Sequence, residues 1–155
     1  MDKYNSDKEI LEFAIHRENE AYNLYKALAG RVAAAHIKKL LEILASEELE
    51  HKSKLELEII KTGRTVSTEP ETPRPANEYI LSDSSEPLDM DYKDVLMLGI
   101  TKEDAAFRTY VNLISIIHDE QSREVLFALA EEEIKHKIRF ETEYKIVQKN
   151  TRNQE

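Results

Sequence analysis

Hydrophobic side chains recur at alternating spacings of three and four along four stretches of the chain, which predicts four amphipathic helices. The first is expected at about residues 7–29, where Ser6 and Glu9 form the Ser-x-x-Glu spacing of a capping box. The second is expected at about residues 33–62, and the third and fourth share residues 92–147. The pattern therefore predicts an all-α fold.

The stretch between the second and third helices has a different composition. Residues 64–88 are rich in Thr, Ser, Pro and Glu and show little periodicity, which is typical of an irregular connection. Gly63 can stop the second helix, and Asp89 or Asp91 can cap the third. The polar tail, residues 149–155, is expected to be frayed.

The two halves of the chain are copies of one helical hairpin. With an offset of 85 residues, residues 7–62 align with residues 92–147 without a gap, and 16 of the 56 aligned pairs are identical. Helices joined by a short turn lie antiparallel, whereas the long connection can run back along the bundle and make the second and third helices parallel. We therefore expect a single domain over residues 1–155, with a pseudo-two-fold axis that brings the four stripes together.

Ionisable side chains interrupt each of the four hydrophobic stripes, and they are among the residues that repeat. Four glutamates and two histidines would share one buried space: Glu18, Glu48, His51, Glu103, Glu133 and His136. An uncompensated buried ion costs several kcal/mol, against about 5–15 kcal/mol for the net stability of a whole domain. Two divalent cations would neutralise the four carboxylates, so the pattern predicts a two-metal site.

The spacing within each Glu-x-x-His segment suits metal binding. Side chains at i and i+3 project from the same side of a helix, so Glu48 and His51 can reach one ion, and their repeat partners Glu133 and His136 can reach the other. The two remaining glutamates complete the set, and bridging carboxylates would keep the ions about 3.5–4 Å apart. Neutral imidazole suits iron, zinc and other borderline metals.

Composition excludes several other classes of function. The net charge of −9 repels nucleic-acid phosphates, and no face dense in Lys and Arg offsets it. The chain has no cysteine, which excludes disulfides, thiolate metal sites and iron–sulfur clusters. No apolar run approaches the roughly 18 residues that a membrane span needs. We expect a cytoplasmic protein with neither a nucleic-acid nor a membrane partner.

The segments around the candidate ligands resemble a rubrerythrin-type diiron domain of the ferritin-like superfamily. The likeness lies in residues 18–25 (Glu-Asn-Glu-Ala-Tyr-Asn-Leu-Tyr) and 45–51 (Ala-Ser-Glu-Glu-Leu-Glu-His), and residues 103–110 and 130–136 repeat it. This resemblance implies a ferritin-like four-helix bundle with a non-haem diiron site that reacts with hydrogen peroxide or dioxygen. Association of two bundles is common in similar proteins, so a homodimer is expected.

The sequence departs from the rubrerythrins proper at two points. They carry a Cys-ligated rubredoxin domain, whereas this chain has no cysteine, so electrons are expected from a separate donor protein. They also carry an extra Glu one turn after the third-helix ligand, where this chain has Ala106. The absence of this Glu weakens the expectation of peroxidase activity.

Other residues compete for places at the site. Glu47 and Glu132 also repeat, and each could replace its neighbour as a ligand, although both leave the three-four stripe. Tyr22, one turn from Glu18, is a candidate for a second-layer hydrogen bond or an oxidisable side chain, although its repeat partner is Phe107.

A second pair of tyrosines repeats as well. Tyr25 and Tyr110 lie two turns from the ligand glutamates of their own helices, about 10 Å along the axis. We expect them to pack in the core.

The sequence thus predicts an oxidoreductase that reduces hydrogen peroxide or dioxygen at two iron ions, with zinc or manganese as alternative metals. Two other functions stay open at this point. The first is a ferroxidase or iron-binding protein that handles iron as its substrate. The second is a scaffold in which the metal is structural.

Overall fold

The computed structural model describes residues 6–62 and 89–153, with side chains described as far as residue 150. This part of the chain contains four helices, α1 (Asp7–Ala29), α2 (Ala35–Lys61), α3 (Tyr92–Ile116) and α4 (Glu120–Asn153), and no strand. The prediction of an all-α fold with four helices is confirmed. Gly63 and the connection at residues 64–88 lie outside the described residues.

Side-chain caps fix where α1 and α3 begin. The Ser6 hydroxyl accepts a hydrogen bond from the Glu9 backbone N–H at 3.2 Å, as the capping-box spacing predicted. Of the two aspartates considered for α3, Asp91 is the cap. Its carboxylate accepts from the Asp94 N–H at 2.8 Å, and Asp94 returns the contact at 3.1 Å. These reciprocal bonds satisfy N–H groups that have no partner within the helix.

The helices pack as two antiparallel hairpins, α1 with α2 (hairpin one) and α3 with α4 (hairpin two). The start of α1 is tied to the turn between α3 and α4, because the Asp7 carboxylate accepts from the backbone N–H groups of His118 at 2.9 Å and Asp119 at 2.7 Å. No described helix is apolar over a long enough stretch to cross a membrane. The paired packing is that of a four-helix bundle.

The apolar core divides into two clusters. One includes Leu11, Leu55, Tyr110 and Leu126, and the other includes Tyr25, Leu41, Leu96 and Phe140. The six predicted ligands fall between these clusters along the stripes. Packed apolar side chains therefore close the site at both ends of the bundle.

Gly99 allows a close approach within hairpin two. A Cβ atom at this position would lie 3.0 Å from Cδ2 of the Phe140 ring, closer than carbon atoms pack without a shift. The repeat partner in hairpin one is Ala14, so the two hairpins are not packed identically.

The last helix extends into the tail that was expected to be frayed, and the fraying itself stays a prediction. The last helix continues to Asn153, past residue 147 where the repeat ends. Residues 148–153 contain neither Gly nor Pro, and adding a residue to an existing helix is far easier than starting one. Polar composition alone therefore did not end the helix.

Candidate metal centre

The six predicted ligands converge at the middle of the bundle, one or two from each helix. Five of them are at most 3% exposed: Glu18, Glu48, His51, Glu103 and Glu133. The sixth, His136, has a side chain that is 20% exposed. Because the other five side chains are buried, the charges of the site interact strongly with one another.

The ligand atoms form two groups that share one carboxylate. Glu18, Glu48, His51 and Glu133 make up the first group, in which one ligand atom from each residue lies within 4.8 Å of the others. Glu103, Glu133 and His136 make up the second group by the same criterion. Glu133 belongs to both groups, whereas the sequence assigned it to the same ion as His136 alone, so its carboxylate could contact a metal ion in either group.

Several buried polar atoms at the centre have no hydrogen-bond partner among the described residues. Both carboxylate oxygens of Glu103 and of Glu133 are in this state, as is Nδ1 of each imidazole. His51 Nδ1 lies 2.7 Å from Glu133 Oε1 without forming a hydrogen bond. Unpartnered buried acceptors are rare and costly, and atoms that face a common point without bonding each other are typical of metal ligands. The donor set fits a pair of metal ions.

The outer nitrogens of the two imidazoles face carboxylates from the opposite hairpin. His51 Nε2 lies 2.7 Å from Glu132, and His136 Nε2 lies 3.4 Å from Glu47. Such a contact fixes the ring and leaves Nδ1 free to bind a metal. The two rings stack with centroids 6.0 Å apart and planes at 6°.

The positions of Glu47 and Glu132 bear on whether either residue replaces its neighbour as a ligand. Glu47 and Glu132 meet the far edges of the imidazoles and do not enter either group of converging atoms. The geometry favours Glu48 and Glu133 as ligands, with their neighbours as orienting groups.

Tyr110 makes a contact that the sequence argument missed. Its buried hydroxyl donates a short hydrogen bond to Glu18 Oε1. The residue is two turns from Glu103 on its own helix, but side chains point back toward the helix N-terminus, which brings the hydroxyl to the ligand on α1. The identity of Tyr110 with its repeat partner Tyr25 was the available signal. The favoured candidate, Tyr22, packs among apolar side chains of the second cluster.

The carboxylates titrate differently from one another. Burial, followed by the neighbouring carboxylates of Glu18 and Glu103, raises the pKa of Glu48 well above its usual range. Burial also raises the pKa of Glu103, because the opposing effect of His136 is smaller. For Glu18, burial raises the pKa, but its contacts with Glu48 and His51 and the hydrogen bond from Tyr110 outweigh it and leave the pKa below its ordinary value.

The imidazoles respond in the other direction. Burial lowers the pKa of His51, but Glu18 and Glu132 outweigh it, so the pKa lies above its ordinary value. The pKa of His136 is also raised, chiefly by its contact with Glu103. The metal-free centre therefore binds protons at these side chains, and metal ions would displace them.

A matched pair of contacts ties each hairpin together beside the site. Lys52 Nζ donates to Asn19 Oδ1 at 3.2 Å in hairpin one, and Lys137 Nζ donates to Asp104 Oδ1 at 2.8 Å in hairpin two. Each contact joins the residue after a ligand Glu to the residue after a ligand His. It holds the two ligand-bearing helices in register.

A sequence model of the rubrerythrins matches residues 9–144, which is most of the chain. The chain belongs to the rubrerythrin family. Members of the family bind non-haem iron, in agreement with the carboxylate and imidazole ligands described above.

Comparison with solved structures supports the fold of this rubrerythrin. A hypothetical protein from Pyrococcus furiosus, Pfu-1136390-001, superposes with a TM-score of 0.67 at 24% sequence identity. The alignment covers 94% of this chain and 92% of that one. No curated protein sequence gives a significant match.

Proposed function

We propose that this protein is a non-haem diiron oxidoreductase that reduces hydrogen peroxide or dioxygen with electrons from a separate donor protein. The observation that carries the proposal is that Glu133 belongs to both groups of carboxylates and imidazoles that could hold a metal ion, and that both of its oxygens lack a hydrogen-bond partner among the described residues. A structural metal would need only one such group. When bound, a pair of iron ions supplies the two electrons that reduction of a peroxide O–O bond requires.

The protein residues would orient and insulate this centre. Glu132 holds the His51 ring through Nε2, and Tyr110 holds Glu18 through its hydroxyl. Apolar side chains above and below exclude water and strengthen these contacts. Because the chain has no cysteine, electrons would arrive from a partner that carries its own redox group.

The proposal is tested first by the metal content. The purified protein should hold about two metal ions per chain, mostly iron, and fewer than one ion per chain would contradict it. The variant Glu133→Ala should lose both ions because this carboxylate is shared, whereas Glu47→Ala should keep both. Glu48→Ala should also abolish the diiron absorption, since Glu48 belongs to the first group.

Turnover separates the redox enzyme from an iron-handling protein. The reduced protein, mixed anaerobically with hydrogen peroxide, should consume one equivalent of peroxide per two Fe(II) and should turn over repeatedly with an electron donor. Oxidation of many added Fe(II) ions per chain, with formation of an iron mineral, would instead show a ferroxidase.

The expected homodimer also stays a proposal. Five exposed hydrophobic residues of hairpin two replace polar residues of hairpin one at the repeat positions, which are Met97 for Glu12, Val111 for Lys26, Phe127 for Glu42, Ile138 for Ser53 and Ile146 for Lys61. Sedimentation of the wild-type protein and of Phe127→Glu tests this, since only the wild type should sediment as a dimer.

A further inference from the structure

A row of polar contacts connects the buried imidazole of His51 with the surface of the bundle. Oε2 of Glu132 lies 2.7 Å from His51 Nε2, and Oε1 of the same carboxylate accepts a hydrogen bond from Lys54 Nζ at 3.1 Å. Glu50 lies 3.8 Å from the same lysine nitrogen, one turn away on α2. The side chains of Glu132 and Lys54 are 39% and 43% exposed. The row therefore joins a buried, predicted metal ligand to a lysine that solvent reaches.

Lys54 restricts where the Glu132 carboxylate can point. A glutamate side chain has several rotatable bonds, and a partly exposed one with a single partner is free to turn toward water. Here each carboxylate oxygen has its own partner, and both partners belong to α2 whereas Glu132 belongs to α4. The lysine thus holds the carboxylate against the ring of His51. Outer contacts of this kind set the orientation of a metal-binding imidazole.

The repeat supplies the same types of side chain around His136 in a different arrangement. Arg139 is the repeat partner of Lys54, and Glu47 is the repeat partner of Glu132. Glu47 lies 3.4 Å from His136 Nε2, and no ion pair joins Glu47 to Arg139 in the part of the chain that the structure describes. Both residues instead line a cavity of about 150 Å³ between α2 and α4, which His136 also lines. The His136 ring is therefore held less firmly than its counterpart.

We propose that Lys54 is a positioning residue of the metal centre, which acts through Glu132 to hold the His51 imidazole in its metal-binding orientation. The metal position at His51 is consequently the first to fill, and the position at His136 fills second. The group of predicted ligands around His51 is also the larger, with four residues against three. This inference rests on the proposed function only in taking the centre to hold two metal ions.

Zinc(II) tests the inference, because it is redox-silent and its binding can be followed at each imidazole by NMR. Metal-free protein is titrated with zinc(II), and the assigned ring signals of His51 and His136 are recorded at one and at two equivalents. In the wild type the His51 signals should shift with the first equivalent and the His136 signals with the second. The His51 Nε2 proton should also exchange with water more slowly than the His136 Nε2 proton, because its acceptor is closer and is held in place.

Lys54→Met removes the charge and keeps most of the length of the side chain. An exposed ion pair changes an equilibrium constant about 1.5- to 5-fold, so the preference of the first zinc ion for His51 over His136 should fall by about this factor. Exchange of the His51 Nε2 proton should become faster. Lys54→Arg should restore both properties, since it can still donate to Glu132. High salt should reduce the preference in the wild type and leave Lys54→Met unchanged.

Arg139→Met is the matched control, because it removes a cation from the repeat position without changing the contacts of His51. It should leave the order of zinc binding and the exchange of the His51 proton as they are in the wild type. This inference alone would be overturned if the wild type filled both positions together or His136 first, if Lys54→Met matched the wild type, or if Arg139→Met had the effect of Lys54→Met. Failure of the wild-type protein to bind two zinc ions would instead overturn the two-metal site and the proposed function with it.

Discussion

Replacing Glu103 with leucine should stabilise the metal-free protein, whereas the same change at its repeat partner, Glu18, should not. The two glutamates are equivalent in the sequence, but their hydrogen bonds differ. Neither carboxylate oxygen of Glu103 has a hydrogen-bond partner among the described residues, while Glu18 accepts from the Tyr110 hydroxyl. The comparison therefore contrasts a buried carboxylate without a hydrogen bond with one that has a hydrogen bond at a single oxygen.

The magnitudes follow from these contacts. A buried polar group without a partner costs about 1–3 kcal/mol, and Glu103→Leu removes one while loosening the contact of 3.8 Å to the partly exposed His136. The net gain should be about 1–2 kcal/mol, or about 2–8 °C in melting temperature. Glu18→Leu instead leaves the hydroxyl of Tyr110 buried without its acceptor, so the free energy of unfolding should fall by about 0–2 kcal/mol.

Thermal unfolding in a metal chelator, followed by circular dichroism, measures both differences. Elemental analysis should show that both variants have lost metal binding, which makes each the other's control. The reasoning would be refuted if Glu103→Leu were markedly less stable than the metal-free wild type. The carboxylate would then be stabilised by its surroundings, and the step from burial cost to metal binding would fail.

Three further outcomes are expected. Removing the metal should lower the melting temperature by several degrees, because binding of one ion at a metal concentration of a hundred times the dissociation constant contributes about 2.7 kcal/mol. An unchanged melting temperature would indicate weak or absent binding. Glu132→Ala should weaken metal affinity about 10- to 100-fold. The effect should be larger than that of Glu47→Ala, because Glu132 lies 2.7 Å from His51 Nε2 whereas Glu47 lies 3.4 Å from His136 Nε2. Isothermal titration of the two variants with Fe(II) checks this order. The metal-free protein should lose stability as the pH rises above about 6.5. The pKa values of His51 and His136 are raised in the folded state, so the two protonated imidazoles stabilise the fold below the unfolded-state pKa of 6.5, and this stabilisation disappears as the pH passes through the folded-state pKa values. Melting temperatures of the metal-free protein that stay constant between pH 6 and 8 would contradict this prediction.

Much of the architecture could be predicted because it depends on local and repeated signals. The three-four periodicity and the caps at Ser6 and Asp91 set the helices almost to the residue. The offset of 85 residues identified which polar side chains would meet, since a chance Glu-x-x-His would not recur in register with a second glutamate. The helical end at Asn153 was missed because composition does not show whether a helix already in place continues.

Contacts between hairpins were harder to predict, because they depend on the direction and reach of side chains. Tyr110 looked remote when distances were counted along its own helix, yet it reaches a ligand on another helix. Glu47 and Glu132 looked like rival ligands, and only the packing of α2 against α4 shows that each meets the imidazole of the opposite hairpin. Periodicity assigns a residue to a face, but not to its partner across the bundle.

The same limit explains why a symmetric sequence gives an asymmetric centre. Repeat partners share a helix position, but their neighbours differ within each hairpin, as at Ala14 and Gly99 and at Asn19 and Asp104. Glu18 accepts a hydrogen bond from Tyr110 and has a lowered pKa, while neither oxygen of Glu103 has a hydrogen-bond partner among the described residues and its pKa is raised. Two iron ions held by such a site would differ in the basicity of their carboxylates.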